Sequence, residues 1–377
     1  MRNAFCINMA LDNPFLTQGY AGKEYFCNRQ KETQKILNTL ENGRNLTLIS
    51  LRRMGKTGLI HHSFKEMKVD CVYVDILHTT NLKEFTLIFG KAIINQLETP
   101  IGKSWNQVLS IFKRIQPSIK IDPLSGQPAF DLSISNESEA EDTLEDIFNY
   151  LMKRKKKTVI AIDEFQQISY YPEKKTEALL RSYIQNLHSV RFIFAGSVKH
   201  ILTSMFSDAS RPFYQSTQFL FLESIEKKDY AEFIKSHFTK SKKKIEDKII
   251  DEIVAWAHVH TFYVQLFCHK VFSKAEKNVD EKLLAEVKRE IFEENEPYYI
   301  SYKNLLSSQQ WNLLRAIAKE GSVAKINQKK FLNTYQLSAS SVQRSIKALE
   351  EREMVALEGS SYRVYDVFLG RWLAENY

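Results

Sequence analysis

Apolar residues follow two different rhythms along this chain. Before residue 225 they gather in short, nearly unbroken runs: Leu46, Leu48 and Ile49, then 69–77, 158–165, 191–195 and 218–222. Runs of this length, bounded by polar residues, read as strands buried on both faces, as in a parallel sheet. Between them the period lengthens. Asn28 is a candidate N-cap for a helix whose stripe is Ile36, Leu37 and Leu40, and Phe85, Ile88, Phe89, Ala92 and Ile93 predict helix over 82–115. Residues 117–135 alternate on either side of a Pro/Gly turn and predict a β-hairpin inserted on the flank of the sheet. Strands alternating with helices give an α/β fold class: a parallel sheet flanked by helices.

After residue 225 the pattern is helical. Ile249, Ile250, Ile253, Val254 and Ala257 form one stripe, and Val264, Phe267, Cys268 and Val271 another. Pro297-Tyr-Tyr-Ile marks an expected boundary. Beyond it the periodicity predicts helices over 309–319, 328–335 and 338–352, the third with Ser338 as N-cap and Val342, Ile346 and Leu349 inward. Two short β segments, 355–357 and 362–365, flank a Gly359-Ser-Ser turn, and helix-turn-helix plus β wing is a winged helix. Val367, Phe368, Leu369 and Trp372 are expected to seal it. The expected division is 1–225 for the sheet domain, 226–300 for a helical domain and 301–377 for the winged helix.

Candidate chemistry sits at the ends of two of the predicted strands. The run at 46–49 leads into Gly55-Lys56-Thr57 and then Gly58-Leu59-Ile60, which can continue as a helix. A glycine lets the backbone approach phosphates, a lysine ammonium reaches β/γ oxygens, and the next hydroxyl can ligate Mg²⁺; the new helix aims free N–H groups at the anion. The full phosphate-loop pattern has glycine where this chain has Ser50, and serine fits there only with negative φ. The bland alternative is a strand-to-helix turn carrying a solvated basic loop. The run at 158–165 ends in Asp163-Glu164. Ligands of open α/β sheets bind beyond the carboxyl ends of the strands, which would bring Asp163 near Lys56 and Thr57 as a Mg²⁺ ligand. Glu164 would then orient or activate a water for attack on the γ-phosphate. Two acids can also simply close a strand, but acids after so apolar a run, downstream of such a loop, favour the joint reading. Gly196-Ser197 ends another strand, where Ser197 either senses phosphate or water or caps a helix.

Composition bounds the picture. A chain of 377 residues, 44% hydrophobic and 12% aromatic, suggests two or three folded domains, and its 12 glycines and 8 prolines leave little for linkers. Cys6, Cys27, Cys71 and Cys268 are scattered, which indicates neither a zinc site nor a disulfide framework and fits a reducing cytoplasm. His258 and His260, two apart with no third ligand, read as capping or solvated residues. No apolar run approaches the ~20 residues of a membrane span, and Asn8, Asp12 and Asn13 interrupt the N-terminus as a signal segment would not allow. A cytoplasmic protein without membrane contact is expected. The net charge of +8 permits a polyanionic partner. Its densest run, Lys153-Arg154-Lys155-Lys156-Lys157, reads first as a solvated helix end; the run through Lys240 and 242–244 reads as an exposed loop.

These motifs together resemble P-loop ATPases of the AAA+/STAND type, in the group called archaeal-type or prokaryotic ATPases. The resemblance spans nearly the whole chain. It rests on Phe26-x-x-Arg29-x-x-Glu32, the loop from Ser50 to Thr57 with its paired arginines, the strand ending Asp163-Glu164, Gly196-Ser197, and the turn Arg211-Pro-Phe-Tyr214. Serine at the first loop position is similar to what this group shows. The resemblance implies an ATP-driven, Mg²⁺-dependent switch with a helical lid at 226–300. It implies that Phe26 and Arg29 lie against adenine, and that Arg52, Arg53, Met54, Gly55, Lys56, Thr57 and Gly58 bind the nucleotide. Thr57 and Asp163 would hold the metal, and Glu164, Lys56, Ser197 and Arg211 would serve catalysis. Two departures stand out. Gln215 and Ser216 replace the usual Gly-Arg, leaving Arg211 as the substitute, and 258–263 replaces the usual lid motif. An arginine finger is worth ~10³–10⁵ in rate, so its absence points to slow or partner-dependent hydrolysis. On the winged helix Gln343, Arg344 and Lys347 face outward toward a DNA groove, although Glu350, Glu351 and Glu353 crowd the same end. A protein partner or a homo-oligomer is also implied by the resemblance. The rival readings are a DNA-binding regulator with a vestigial nucleotide site and a scaffold that binds nucleotide without hydrolysis.

Overall fold

The computed structural model describes residues 12–97, 118–121, 128–131, 134 and 136–377. They form two compact units, Gln18–Ser224 and Ile225–Tyr377, the latter joined by the described residues before Gln18.

In the first unit, strands β1 (Asn45–Ile49), β2 (Asp70–Asp75), β5 (Thr158–Asp163), β6 (Val190–Gly196) and β7 (Thr217–Phe221) build a parallel sheet in the order β2-β5-β6-β1-β7. The apolar runs are explained by burial on both sides. Ile160, Ile162, Phe192 and Phe194 enter one core cluster, while Val159, Ala161, Ile193 and Ala195 enter another. Alternate residues of a strand point to opposite faces, so the two clusters are the two faces of one sheet. Each buried valine, isoleucine or phenylalanine side chain among them contributes about 1.5–3 kcal/mol. Helices Gln30–Glu41, Lys56–Glu66, Leu82–Leu97, Glu137–Lys153, Thr176–Ile184 and Lys199–Ser207 connect the strands. The helix expected over 82–115 runs to Leu97, and the rest of that prediction lies outside the described residues. The expected hairpin is present as β3 (Ser118–Ile121) and β4 (Pro128–Asp131), paired antiparallel in a separate two-stranded sheet.

Register places the functional ends together. Ile49 of β1 is level with Gly196 of β6, and Asp75 of β2 with Asp163 of β5. The carboxyl ends of these strands therefore share one rim of the sheet.

The second unit is helical apart from its wing. Helices Lys227–Lys240, Asp247–Trp256 and Thr261–Lys274 precede the long helix Glu281–Leu305. Phe15 is buried among Phe233, His237, Phe238 and Phe272, its carbonyl is 2.8 Å from His269 Nδ1, and Asn13 donates to the His269 carbonyl. The described N-terminal residues up to Thr17 thus belong with this unit and not with the sheet that follows them in sequence. Pro297, where a domain boundary is expected, lies inside helix Glu281–Leu305. Proline removes one backbone donor there. The last turns are nevertheless held, because Tyr299 is buried against Trp372 in the core of the winged helix.

That module follows its predicted pattern closely. Helix Ser308–Glu320 starts on a Ser307–Gln310 capping box, and helix Ala339–Glu351 starts where the Ser338 side chain accepts from Ser341 N–H. Val342, Ile346 and Leu349 are buried, and β8 (Val355–Glu358) pairs antiparallel with β9 (Ser361–Val364). Helix Val367–Asn376 closes the core with Leu369 and Trp372.

Candidate active site

Strand β1 delivers the chain to the rim, and the loop 50–55 turns it into helix Lys56–Glu66. Gly55 holds φ +88° at the N-cap, in the left-handed region that favours glycine. Ser50 is not among the residues with positive φ, so serine carries no conformational penalty there. Its N–H donates to the Gly196 carbonyl at 3.3 Å, and its hydroxyl donates to the Leu51 carbonyl at 2.9 Å.

The lysine and the acid pair meet at this rim. Lys56 Nζ lies 2.9 Å from Glu164 Oε1 and 3.2 Å from Asp163 Oδ1, although the partners stand more than a hundred positions apart. Thr57 Oγ1 donates to Asp163 Oδ2 at 2.8 Å. All four side chains come from strand ends or the helix start, which is why parallel register alone assembles them.

The structure adds two residues that sequence reasoning missed. Tyr73, on β2, donates its hydroxyl to Asp163 Oδ2 at 2.9 Å. Gln166 donates to Glu164 Oε2, which also accepts from Ser197 Oγ at 2.9 Å. The Gln166 contact depends on the close approach of Gly196, whose position leaves no room for a Cβ beside the Gln166 amide. Tyr73 had no legible signal, because nothing in the sequence says that β2 lies next to β5.

Electrostatics follow from these contacts. Burial pushes the Glu164 carboxyl up, but the Lys56 ammonium and the hydrogen bonds from Lys56, Gln166 and Ser197 outweigh it and hold the group below its ordinary range. Glu164 also adopts φ +56°, left-handed backbone that costs a non-glycine residue about 1–3 kcal/mol. Tyr73 is held protonated, first by burial and then by the charge of and hydrogen bond to Asp163. Nearby, burial lowers His61 more than Asp163 raises it.

The remaining expected site residues divide. Arg29, buried, pairs with Glu32 at 2.8 Å and reaches the Met54 carbonyl at 3.4 Å, tying the turn before the sheet to the phosphate loop. Phe26 stacks on His62 (centroids 4.4 Å apart, planes at 22°) and lies over Gly58, where an added Cβ would sit 3.5 Å from the ring. His62 Nδ1 in turn contacts Tyr20 OH at 2.9 Å. Met54 is buried, whereas Arg52 and Arg53 are exposed on the loop. Arg211 is not brought to the cluster: its guanidinium pairs with Glu177 and donates to Ser169 Oγ at 3.2 Å.

Comparison with known proteins agrees with this geometry. Residues 26–260 match a family described as an ATPase domain predominantly from Archaea, and residues 297–375 match a probable winged helix domain. Among solved structures the chain is similar to the Walker-type ATPase Paby2304 of Pyrococcus abyssi (19% identity, TM-score 0.61, covering 96% of this chain and 99% of that one). It is also similar to the ORC2 protein of Aeropyrum pernix, solved as ADPNP–ADP complexes (15%, 0.60, 96% and 95%). The ORC1 protein of Aeropyrum pernix in complex with DNA is more distant (11%, 0.51, 97% of each chain). The comparison with curated proteins finds no match.

Proposed function

The chain belongs to the family of ATPase domains found predominantly in Archaea, and on that premise we propose that it binds ATP with Mg²⁺, hydrolyses it, and uses the cycle as a conformational switch of the STAND type. The observation that carries this reading is the placement of Lys56 Nζ between Asp163 and Glu164 at the carboxyl rim of a parallel sheet. The residues fit a magnesium nucleotide. Thr57 Oγ1 and Asp163 Oδ2 lie 2.8 Å apart beside a glycine in left-handed backbone, and one or two protein oxygens suffice for an ion otherwise bound by phosphate and water. Thr57 and Asp163 would hold that ion, which supplies charge neutralisation on the phosphates.

The protein's own groups then have distinct tasks. Lys56 exchanges its carboxylate partners for β/γ oxygens, and the amino end of helix Lys56–Glu66 with residues Arg52–Gly58 receives the phosphates. Glu164, ionised and aimed by Ser197 and Gln166, accepts the proton of the attacking water. Phe26 and Arg29 border the base. Arg211 joins catalysis only after leaving Glu177, which agrees with slow or partner-dependent turnover. The division at 225/226 and 300/301, with 226–300 as lid, a cytoplasmic location, and a homo-oligomer or protein partner completing the site belong to the same proposal. Among the described residues no helix is long and apolar enough to cross a membrane.

Calorimetry tests the reading. Mg²⁺-dependent ATP binding is expected, lost in Lys56→Ala and kept in Glu164→Gln, where turnover stops. Turnover that survives Glu164→Gln removes that residue from its role, and absence of ATP binding removes the function. A second reading, DNA binding by the winged helix, draws on Gln343, Arg344 and Lys347, all exposed on helix Ala339–Glu351, and on the DNA complex of one neighbour of the same fold. Against it, Lys347 lies 4.0 Å from Glu351. Salt-sensitive binding to duplex DNA, weakened in Arg344→Ala and Lys347→Ala and indifferent to Lys56→Ala, would favour this reading.

A further inference from the structure

A cavity opens in the sheet unit, at the end of the sheet opposite the phosphate loop. It has a volume of about 430 Å³ and lies where β5 and β6 begin. Its floor is apolar, made by Leu37, Leu40, Met67 and Val159, and its basic lining is Lys68, Lys157 and Arg191. Glu41 and Glu66 also line it, but Glu66 sits 3.9 Å from Lys23 and faces a cation already. The size falls within the range of small-molecule sites, which combine apolar walls with a few placed polar groups.

Arg191 is the distinguishing feature. Its Nη1 donates to the carbonyls of Leu187 and Val190 at 3.2 and 2.7 Å, and Gly43, at φ +76°, lies so close that a Cβ there would be 3.2 Å from Nη2. The guanidinium is therefore fixed in place. Yet no carboxylate of the described residues ion-pairs with it, and its Nε proton is buried without an acceptor. A partly buried cation fixed by neutral carbonyls alone lacks a counter-charge. The basic run that the nucleotide site does not use comes to the same edge: Lys157 lines the cavity, and Lys153, Lys155 and Lys156 are exposed just before it.

We propose that this cavity is a binding site for a small amphipathic organic anion, its apolar body on Leu37, Leu40, Met67 and Val159 and its anionic head at Arg191, Lys68 and Lys157. The exposed lysines of the run raise the local concentration of such a ligand by steering it to the mouth. The site is separate from the nucleotide reading and stands without it. Strands β5 and β6 begin at this cavity and end at Asp163 and Gly196, so the occupant would touch the same two strands that carry the acid pair and the glycine beside Gln166.

The probe is 1-naphthaleneacetate, compared with its neutral amide by calorimetry on the full chain. The acid is expected to bind roughly tenfold or more tightly than the amide, as charge-assisted contacts require. Arg191→Met should erase that preference while the amide still binds, and Leu37→Trp, which fills the cavity from a half-buried position, should abolish both. Unchanged thermal transitions in the two variants certify folding; a variant that melts early is replaced by Lys68→Gln for the head or Leu37→Phe for the body. Equal binding of acid and amide overturns the proposal. So does binding that survives Leu37→Trp, or no binding of either probe at millimolar concentration. Displacement of the acid by duplex DNA through Lys153, Lys155 and Lys156, unaffected by Arg191→Met, would make the face a nucleic-acid surface and overturn it as well.

Discussion

Replacing Gly196 by alanine tests how the Glu164 carboxylate is held. A Cβ on Gly196 would fall 2.0 Å from Gln166 Oε1 and 2.6 Å from Leu202 Cδ1. Neither neighbour can retreat to solvent, since Gln166 is 2% exposed and Leu202 fully buried. Two responses are open. If the core strains to admit the methyl group, overpacking costs about 1–3 kcal/mol. If Gln166 swings away, Glu164 loses a charge-assisted hydrogen bond worth about 1.5–3 kcal/mol. Both routes give the same order of loss, and for a unit of this length each kcal/mol lowers the transition by roughly 2–4 °C, so a fall of about 2–12 °C is expected. Scanning calorimetry reads the stability, and ATP turnover reads the carboxylate: the second route lowers turnover with little change in ATP affinity. Adding Gln166→Ala to Gly196→Ala removes the nearer clash and should return part of the lost stability, a coupling that a double-mutant cycle isolates. An unchanged transition in Gly196→Ala, or strict additivity in the double variant, would refute the reasoning.

The other expectations are more compact. Glu164 has a folded pKa below its ordinary 4.5, so it contributes stability above that pH and loses the contribution as pH falls through the lowered folded value. Melting curves below pH 4.5 should therefore fall less steeply in Glu164→Gln than in the parent, and parallel curves would refute this. Tyr73→Phe leaves Asp163 Oδ2 with one donor fewer and should cost about 1 kcal/mol with a modest loss of ATP affinity; unchanged chemical denaturation would show the contact to be idle. Arg211→Ala breaks the pair with Glu177, lowering stability by about 1 kcal/mol while leaving ATP affinity unchanged in equilibrium titration. Phe15→Ala removes a buried ring enclosed by four aromatic neighbours and should destabilise the second unit by about 3–5 kcal/mol in denaturant melts.

What could be read from the sequence divides along a physical line. The strands of the sheet were legible because burial on both faces leaves an unbroken apolar run, and the winged helix because its caps and stripes are local. The cluster of Lys56, Thr57, Asp163 and Glu164 was legible because each residue sits at the carboxyl end of its own strand or the helix that follows. Parallel strands bring such ends to one rim whatever their order. Tyr73 and Gln166 required more than that. Tyr73 reaches Asp163 only because β2 is the neighbour of β5, and Gln166 reaches Glu164 only because the residue at 196 has no side chain. The burial of Phe15 and the passage of helix Glu281–Leu305 through Pro297 were not legible for the same reason: the aromatic pocket around one and the Tyr299–Trp372 contact beyond the other are made by residues distant in sequence.

Glu164 shows what the non-local part contributes to the proposed chemistry. Its left-handed backbone is costly by itself and persists because three side chains over-determine the carboxylate: Lys56, Gln166 and Ser197. In the proposed cycle a triphosphate takes Lys56, the residue whose charge does most to offset burial of the acid. The carboxylate then keeps its two neutral donors but loses its counter-ion, so its basicity rises at the moment a water needs deprotonating. Ser197, which the Gly196-Ser197 motif announces, and Gln166, which no motif does, are thus the contacts left to aim Glu164 once nucleotide is bound, and a base both freed of its cation and still held in place is what general-base catalysis requires.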